Sequence, residues 1–232
     1  MVLSEIVRFV LPRSQSARSS FHDLRAKLDH AGVVKNQYFG YVLQKEGYPV
    51  PKQENLMCWY IEWPDRNRRE WSPEMTKSLS SLAGGTPNTS LCEFVETKAG
   101  GIREALESNV CQFAVIKLGP SAPRSSPNLE RSMHKTFTDC YLAEGFVNGG
   151  WGYVCTTNDA DGTPLREEAE ILEEKDRHLA FYVLGWDSLE SHHAYSRTQL
   201  YDEEIDKLSP YFAQGTGAWY VTLRRHEPNP VS

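Results

Sequence analysis

The sequence predicts an α+β protein made of two copies of one βαββαβ unit, and three observations carry that prediction. Segments with strand and helix periodicity alternate in one order over residues 1–98 and again over 110–232. Short echoes link the copies. Gly40-Tyr41-Val42 after Phe39 returns as Gly152-Tyr153-Val154 after Trp151, and Trp63-Pro64-Asp65 has a counterpart in Trp186-Asp187. The strands are also apolar on both parities: Cys111, Phe113 and Val115 alternate with Ala114, Ile116 and Leu118. A sheet with one wet face would alternate more cleanly, so both faces are expected to be covered.

Taken in order, residues 5–11 read as a strand stopped by Pro12. Phe21, Leu24 and Leu28 then recur at helical spacing until Gly32. Residues 36–44 form a second strand. Residues 45–54, with Gly47, Pro49 and Pro51, form a loop, and residues 55–63 are an aromatic third strand. Ser72-Pro73-Glu74 opens a helix with proline in its first turn, Gly84-Gly85 closes it, and residues 90–97 are the fourth strand. Residues 99–109 are expected to be a linker. The second copy runs through a strand at 110–118, a Pro/Ser-rich loop at 120–126 and a helix marked by Leu129, Met133, Phe137 and Tyr141. Strands at 149–156 and 178–184 follow, then a helix from 187 to about 211 and a last strand at 216–225. This order makes each copy ferredoxin-like. The long connection at 158–177 carries eight acidic residues, and reads as either a solvated loop or a helical flap over a pocket.

At 232 residues, with 40% hydrophobic and 24% charged residues, the chain has material for a substantial core. A net charge of −6 argues against nucleic acid as partner. No apolar run approaches the roughly 20 residues of a membrane span, and residues 1–7 read as strand rather than leader. Five cysteines without a C-x-x-C pair favour reduced thiols, a cytoplasmic setting and no zinc site. Nucleotide, P-loop, hydrolase-elbow and zincin motifs are missing from the sequence.

The richest stretch is Gly185-Trp186-Asp187-Ser188-Leu189-Glu190-Ser191-His192-His193-Ala194-Tyr195. It joins an apolar strand to a helix, with Asp187 or Ser188 as N-cap and Glu190 as a capping-box partner of Asp187. This junction resembles that of the dimeric α+β barrel superfamily, which includes antibiotic-biosynthesis monooxygenase-like domains, stress-responsive A/B barrels and small polyketide cyclases. The resemblance implies two sheets closed into an α/β barrel, usually between subunits; here both halves lie in one chain, as a monomer or a homodimer. It implies no cofactor, although some tandem members bind haem through one histidine. The cyclases keep a tyrosine at the position of Tyr195 and a histidine where this chain has Tyr201, so a cyclase base would be lost or moved to His192.

His192 and His193 point about 100° apart on a helix and cannot share one pocket. Leu189, His192 and Tyr195 form one stripe; Leu189, His193, Ser196 and Leu200 form the other. If the first stripe faces inward, His192 is a candidate base near the helix N-terminus and Tyr195 a candidate acid. The alternative is a hydrogen-bonded helix histidine and a packed tyrosine. Trp186, Tyr201, Gly152 and Tyr153 are candidate substrate contacts. Gly40 and Gly152 read either as space for a ligand or as bends in a barrel strand. His22 and His134 are expected at the rim or surface, and His30, His178 and His226 carry no assigned role.

The function so implied is a cofactor-free acid–base enzyme of specialised metabolism: a cyclase, isomerase or dehydratase acting on an aromatic or polyketide-like intermediate. A cofactor-independent monooxygenase and a non-catalytic ligand-binding or stress-response barrel are the alternatives. The first-half helix at 72–83 has no His or Tyr, so that half is expected to be scaffold. The ligand is expected in the second half, between sheet and helices, with residues 158–177 over the mouth.

Overall fold

The computed structural model describes residues 2–64, 71–95, 100–123, 126–158 and 179–227. In chain order the first half contains β1 (Val2–Val10), α1 (Gln15–His30), β2 (Asn36–Lys45), β3 (Tyr48–Pro49), β4 (Leu56–Trp63), α2 (Pro73–Ala83) and β5 (Asn88–Val95). After α3 (Gly101–Leu106) the second half contains β6 (Val110–Lys117), α4 (Pro127–Thr138), β7 (Phe146–Thr157) and β8 (Leu179–Trp186). It ends with α5 (Leu189–Tyr195), α6 (Gln199–Leu208), β9 (Gly217–Val221) and β10 (Arg224–Arg225).

Each half is a four-stranded antiparallel sheet, in the orders β2-β4-β1-β5 and β7-β8-β6-β9, the ferredoxin-like arrangement. Two seams join them: β5 pairs with β7, and β9 pairs with β2. The result is a closed eight-stranded α+β barrel within one chain.

Two-sided burial follows from that closure. One parity of the strands (Ile6, Tyr60, Phe94, Phe113, Phe181 and Trp219 among them) fills the barrel interior. The other parity packs outward under helices, as Val7, Trp59 and Trp63 do beneath α1 and α2. In the second half Ile116, Tyr182 and Trp186 do the same beneath α4, α5 and α6. Small barrels gain stability from such a filled interior.

The expected linker at 99–109 contains α3, whose Ile102, Ala105 and Leu106 are buried with the interior cluster. The helix expected from 187 to about 211 is broken in two. Thr198 accepts a hydrogen bond from the Tyr201 N–H at 3.3 Å and so starts a new helix. The last strand is likewise split into β9 and β10, the latter pairing with β2.

The seams explain the repeated Gly-Tyr-Val. A Cβ at Gly40 would lie 2.1 Å from the Thr222 carbonyl oxygen, and one at Gly152 would lie 1.9 Å from that of Glu93. Gly40 pairs with Cys58 in β4, and Gly152 pairs with Phe181 in β8. Each glycine therefore lets a strand of one half approach the backbone of the other. Beside each contact the register slips, between Val42 and Gln44 in one seam and between Leu91 and Cys92 in the other. Bulges of this kind add the local twist that closure needs.

All five cysteines are buried and outside any disulfide among the described residues, three of them (Cys58, Cys92, Cys111) in the barrel interior. Burial pushes the Cys58 thiol up to about 12. No helix among the described residues is long and apolar enough to cross a membrane.

Candidate functional site

The outer face of the second sheet carries a cavity of about 280 Å³, roofed by α4, α5 and α6. Its floor carries a small pair, Ala114 of β6 opposite Ala218 of β9, beside Ile116, Tyr182 and Leu184. Its deep wall holds Trp186, His192, Tyr195, Tyr201, Tyr220 and Gln112. Glu46 and Gly47, from the turn after β2, line it as well. The volume lies near the lower limit of small-molecule pockets, roughly 300–1,000 Å³. Its size matches two or three fused rings and falls short of a tetrapyrrole.

The short helix α5 positions His192 and Tyr195. Its cap is Ser188, which accepts from the Ser191 N–H at 3.0 Å. The expected Asp187–Glu190 capping box is not used, because Ser188 takes the N-cap and leaves Ser191 three residues on. That frame turns Leu189, His192 and Tyr195 toward the sheet, with His192 and Tyr195 each 6% exposed. His193 is half-buried and points elsewhere, its Nε2 lying 3.4 Å from the Gln44 side chain on the first-half strand β2.

His192 stands edge-on to Trp186, ring centroids 5.1 Å apart, and its Nδ1 is 3.1 Å from the Tyr220 hydroxyl. Burial, and then the neighbouring His193, lower its pKa from 6.5 to about 4. The imidazole is therefore neutral around pH 7. Trp186 donates from Nε1 to the Gln112 Oε1 at 2.9 Å, which holds the indole in place. Burial raises the hydroxyls of Tyr195, Tyr201 and Tyr220, so all three are protonated donors near neutrality. Tyr195 and Tyr201 rings meet edge-on at 5.6 Å.

Of the residues singled out from sequence, His192, Tyr195, Trp186 and Tyr201 line this one cavity. Gly152 and Tyr153 do not line it. Gly152 is occupied by the seam, and the half-buried Tyr153 ring lies 5.4 Å from Trp151 outside the cavity lining. Sequence reasoning missed Tyr220 and Gln112. Gln112 carried a signal as the uncharged polar residue inside the apolar run 110–118. Tyr220 carried none until the pairing of β6 with β9 set it opposite Gln112. Half-buried His134 accepts from Trp151 Nε1 at 2.9 Å, and His22 is exposed beside Asp23. The flap expected at 158–177 lies outside the described residues beyond Asn158.

An eight-stranded barrel of two ferredoxin-like halves with an aromatic, histidine-bearing cavity under one set of helices defines a structural class. No known protein-family profile matches the sequence, and no curated protein matches it. Solved structures do share the fold. An anthrone oxidase-like protein matches with a TM-score of 0.57 at 14% identity, covering 97% of this chain and 93% of that one. A protein provisionally named a monooxygenase from Lactobacillus acidophilus NCFM gives 0.55 at 10% identity, with the same coverage. Another so named, from Fusobacterium nucleatum, gives 0.56 at 9% identity, also over 97% and 93%. At such identities the likeness establishes the fold alone, the α+β barrel that the resemblance of the Trp186–Tyr195 junction implied.

Proposed function

We propose that the chain is a cofactor-free acid–base enzyme that removes a proton next to the carbonyl of a fused-ring aromatic or polyketide-like substrate, leading to cyclisation, isomerisation or loss of water. One observation carries the reading: a neutral, buried imidazole hydrogen-bonded to a tyrosine hydroxyl on an apolar cavity wall. In the tautomer with hydrogen on Nδ1, that N–H donates to the Tyr220 oxygen and Nε2 keeps the lone pair of a base. A group with a pKa of about 4 is a weak base in the free enzyme. An enolate forming beside it raises its proton affinity, because opposite charges in a dry site favour the protonated ring. The hydroxyls of Tyr195 and Tyr201 supply donors for the developing oxyanion.

A second reading is favoured by the anthrone oxidase-like fold neighbour. The same proton removal gives a carbanion, and an electron passes from it to dissolved oxygen. The two radicals join in a C–O bond, and the protonated peroxide loses water to leave a ketone. One oxygen atom ends in the product and the other in water, as in a cofactor-independent monooxygenase.

The two readings share a step that can be measured directly. Anthrone in deuterated buffer without oxygen is expected to exchange its ring CH₂ hydrogens faster with the protein than without it. His192→Gln is expected to lower that excess rate by about 10²–10⁴-fold. Admitting oxygen then separates the readings, since only the oxygenase consumes it. Exchange that His192→Gln leaves intact removes both.

A further inference from the structure

A second cavity, of about 400 Å³, lies in the first half between α1 and the outer face of β2, next to the Gly40 seam. Its lining is aromatic and basic: Phe21, Phe39 and Tyr41 stand beside Arg18, Arg25 and Arg224, and none of the described residues that line it is acidic. Arg13 and Arg18 line a shallower hollow that adjoins it at Tyr41. Four arginines line these two adjoining spaces in a chain of net charge −6.

Arg25 is the informative member. It is 6% exposed, and its guanidinium sits in the corner between two perpendicular rings, 4.1 Å from the Phe21 ring centre and 3.6 Å from that of Phe39. Its Nε is buried with no hydrogen-bond acceptor, and Arg25 makes no ion pair among the described residues. Burial lowers its pKa to about 10, which still leaves it charged at neutral pH. A buried cation is normally paired, because leaving one unpaired is costly. Here the rings hold the cation, and no carboxylate among the described residues pairs with it. Beside it, Tyr41 and Leu43 are 44% and 40% exposed, large apolar side chains facing the same space.

We propose that this cavity is a separate binding site for an amphipathic monoanion: a carboxylate head on the Arg25 guanidinium, with an apolar body against Phe39, Tyr41 and Leu43. A guanidinium edge matches a carboxylate in a two-point hydrogen bond. The volume falls within the range of small-molecule pockets. Exposed Arg18 and Arg224 at the rim add attraction without fixing orientation. The site shares no lining residue with the His192 cavity and does not depend on the function proposed for it.

Calorimetric titration with 2-naphthoate tests the assignment, with decanoate distinguishing aromatic from acyl bodies and 2-naphthalenemethanol as the uncharged control. Naphthoate or decanoate is expected to bind at least about tenfold more tightly than the alcohol, since a charge-assisted pair at a desolvated site supplies that difference. Arg25→Gln is expected to erase the advantage. Arg18→Gln and Arg224→Gln, both at exposed positions, are each expected to weaken binding two- to fivefold, which keeps the test valid if Arg25→Gln fails to fold. Ala218→Leu, which fills the other cavity, is expected to leave binding unchanged. Equal binding of acid and alcohol, or loss of naphthoate binding in Ala218→Leu with retention in the arginine variants, overturns the proposal.

Discussion

The two halves of the barrel share a scaffold position by position, and differ in what packs against the tryptophan and the strands beside it. Pairing with Trp63 and Trp186 sets Leu3 against Val110, so Glu5 corresponds to Gln112 and Val7 to Ala114. Across the next strand, Leu91 corresponds to Tyr220 and Thr89 to Ala218. The scaffold bond is the same in both: Trp63 donates to Glu5 at 3.0 Å, as Trp186 donates to Gln112 at 2.9 Å. In the first half Trp71 also donates to Glu5, and its ring packs on Trp59 and Trp63 with centroids 5.6 and 6.1 Å away. In the second half the floor is Ala114 and Ala218, and His192 stands against the tryptophan instead. The presence of this cavity turns on a handful of side-chain volumes; the backbone plan is common to both halves.

The seam glycines offer the most severe way to break the comparison. Gly40→Ala and Gly152→Ala each place a methyl group within 2.1 Å of a carbonyl oxygen. Each is expected to cost about 3 kcal/mol or more, because backbone must move to relieve the overlap. Urea unfolding should show matched losses; tolerance of one change and not the other would mean that the seams are not equivalent.

Acid titration sharpens the contrast next. Between pH 6.5 and 4 the unfolded chain protonates a histidine that the folded chain holds neutral at position 192. Stability is therefore full above 6.5 and falls as pH drops toward 4, by up to about 3 kcal/mol. His226, which burial also lowers, adds its own acid sensitivity, so the measured quantity is wild type minus His192→Gln. Parallel stability curves for the two proteins would contradict the buried, neutral imidazole.

The tryptophan bonds give a smaller, graded effect. Trp63→Phe withdraws a donor from a carboxylate and is expected to cost about 1.5–3 kcal/mol, against about 0.5–1.5 kcal/mol for Trp186→Phe, whose partner is a neutral amide. Thermal or denaturant midpoints rank them, and a reversed order would remove the distinction between Glu5 and Gln112.

Smallest in stability is Ala114→Val, which copies Val7 into the second half. It is expected to shift stability by less than about 1 kcal/mol while closing part of the cavity floor. Anthrone exchange should fall even though the protein unfolds at nearly the same midpoint; undiminished exchange would place the substrate elsewhere.

Much of this plan was legible in the sequence, for definite physical reasons. Element order and two-parity strands are local signals, and closure of the barrel is the way both strand faces become covered. Gly40 and Gly152 were visible as interruptions, but their cause is a carbonyl contributed by the other half, which no local pattern encodes. The stripe of His192 and Tyr195 follows from helical periodicity. Tyr220 and Gln112 join it through strand register, which periodicity leaves open. The break at Thr198 came from a cap that competes locally with helix continuation.

Closure within one chain also changes how the pockets can vary. In a barrel formed by two identical chains, every substitution appears twice, so a residue that suits one pocket is imposed on its twin. Covalent tandem linkage removes that duplication. Ala114 and Val7, or Gln112 and Glu5, are separate codons, and one can drift toward chemistry while the other drifts toward bulk. A single molecule of this kind can therefore specialise its two faces independently, as a heterodimer does, without needing a second gene or a partner to find.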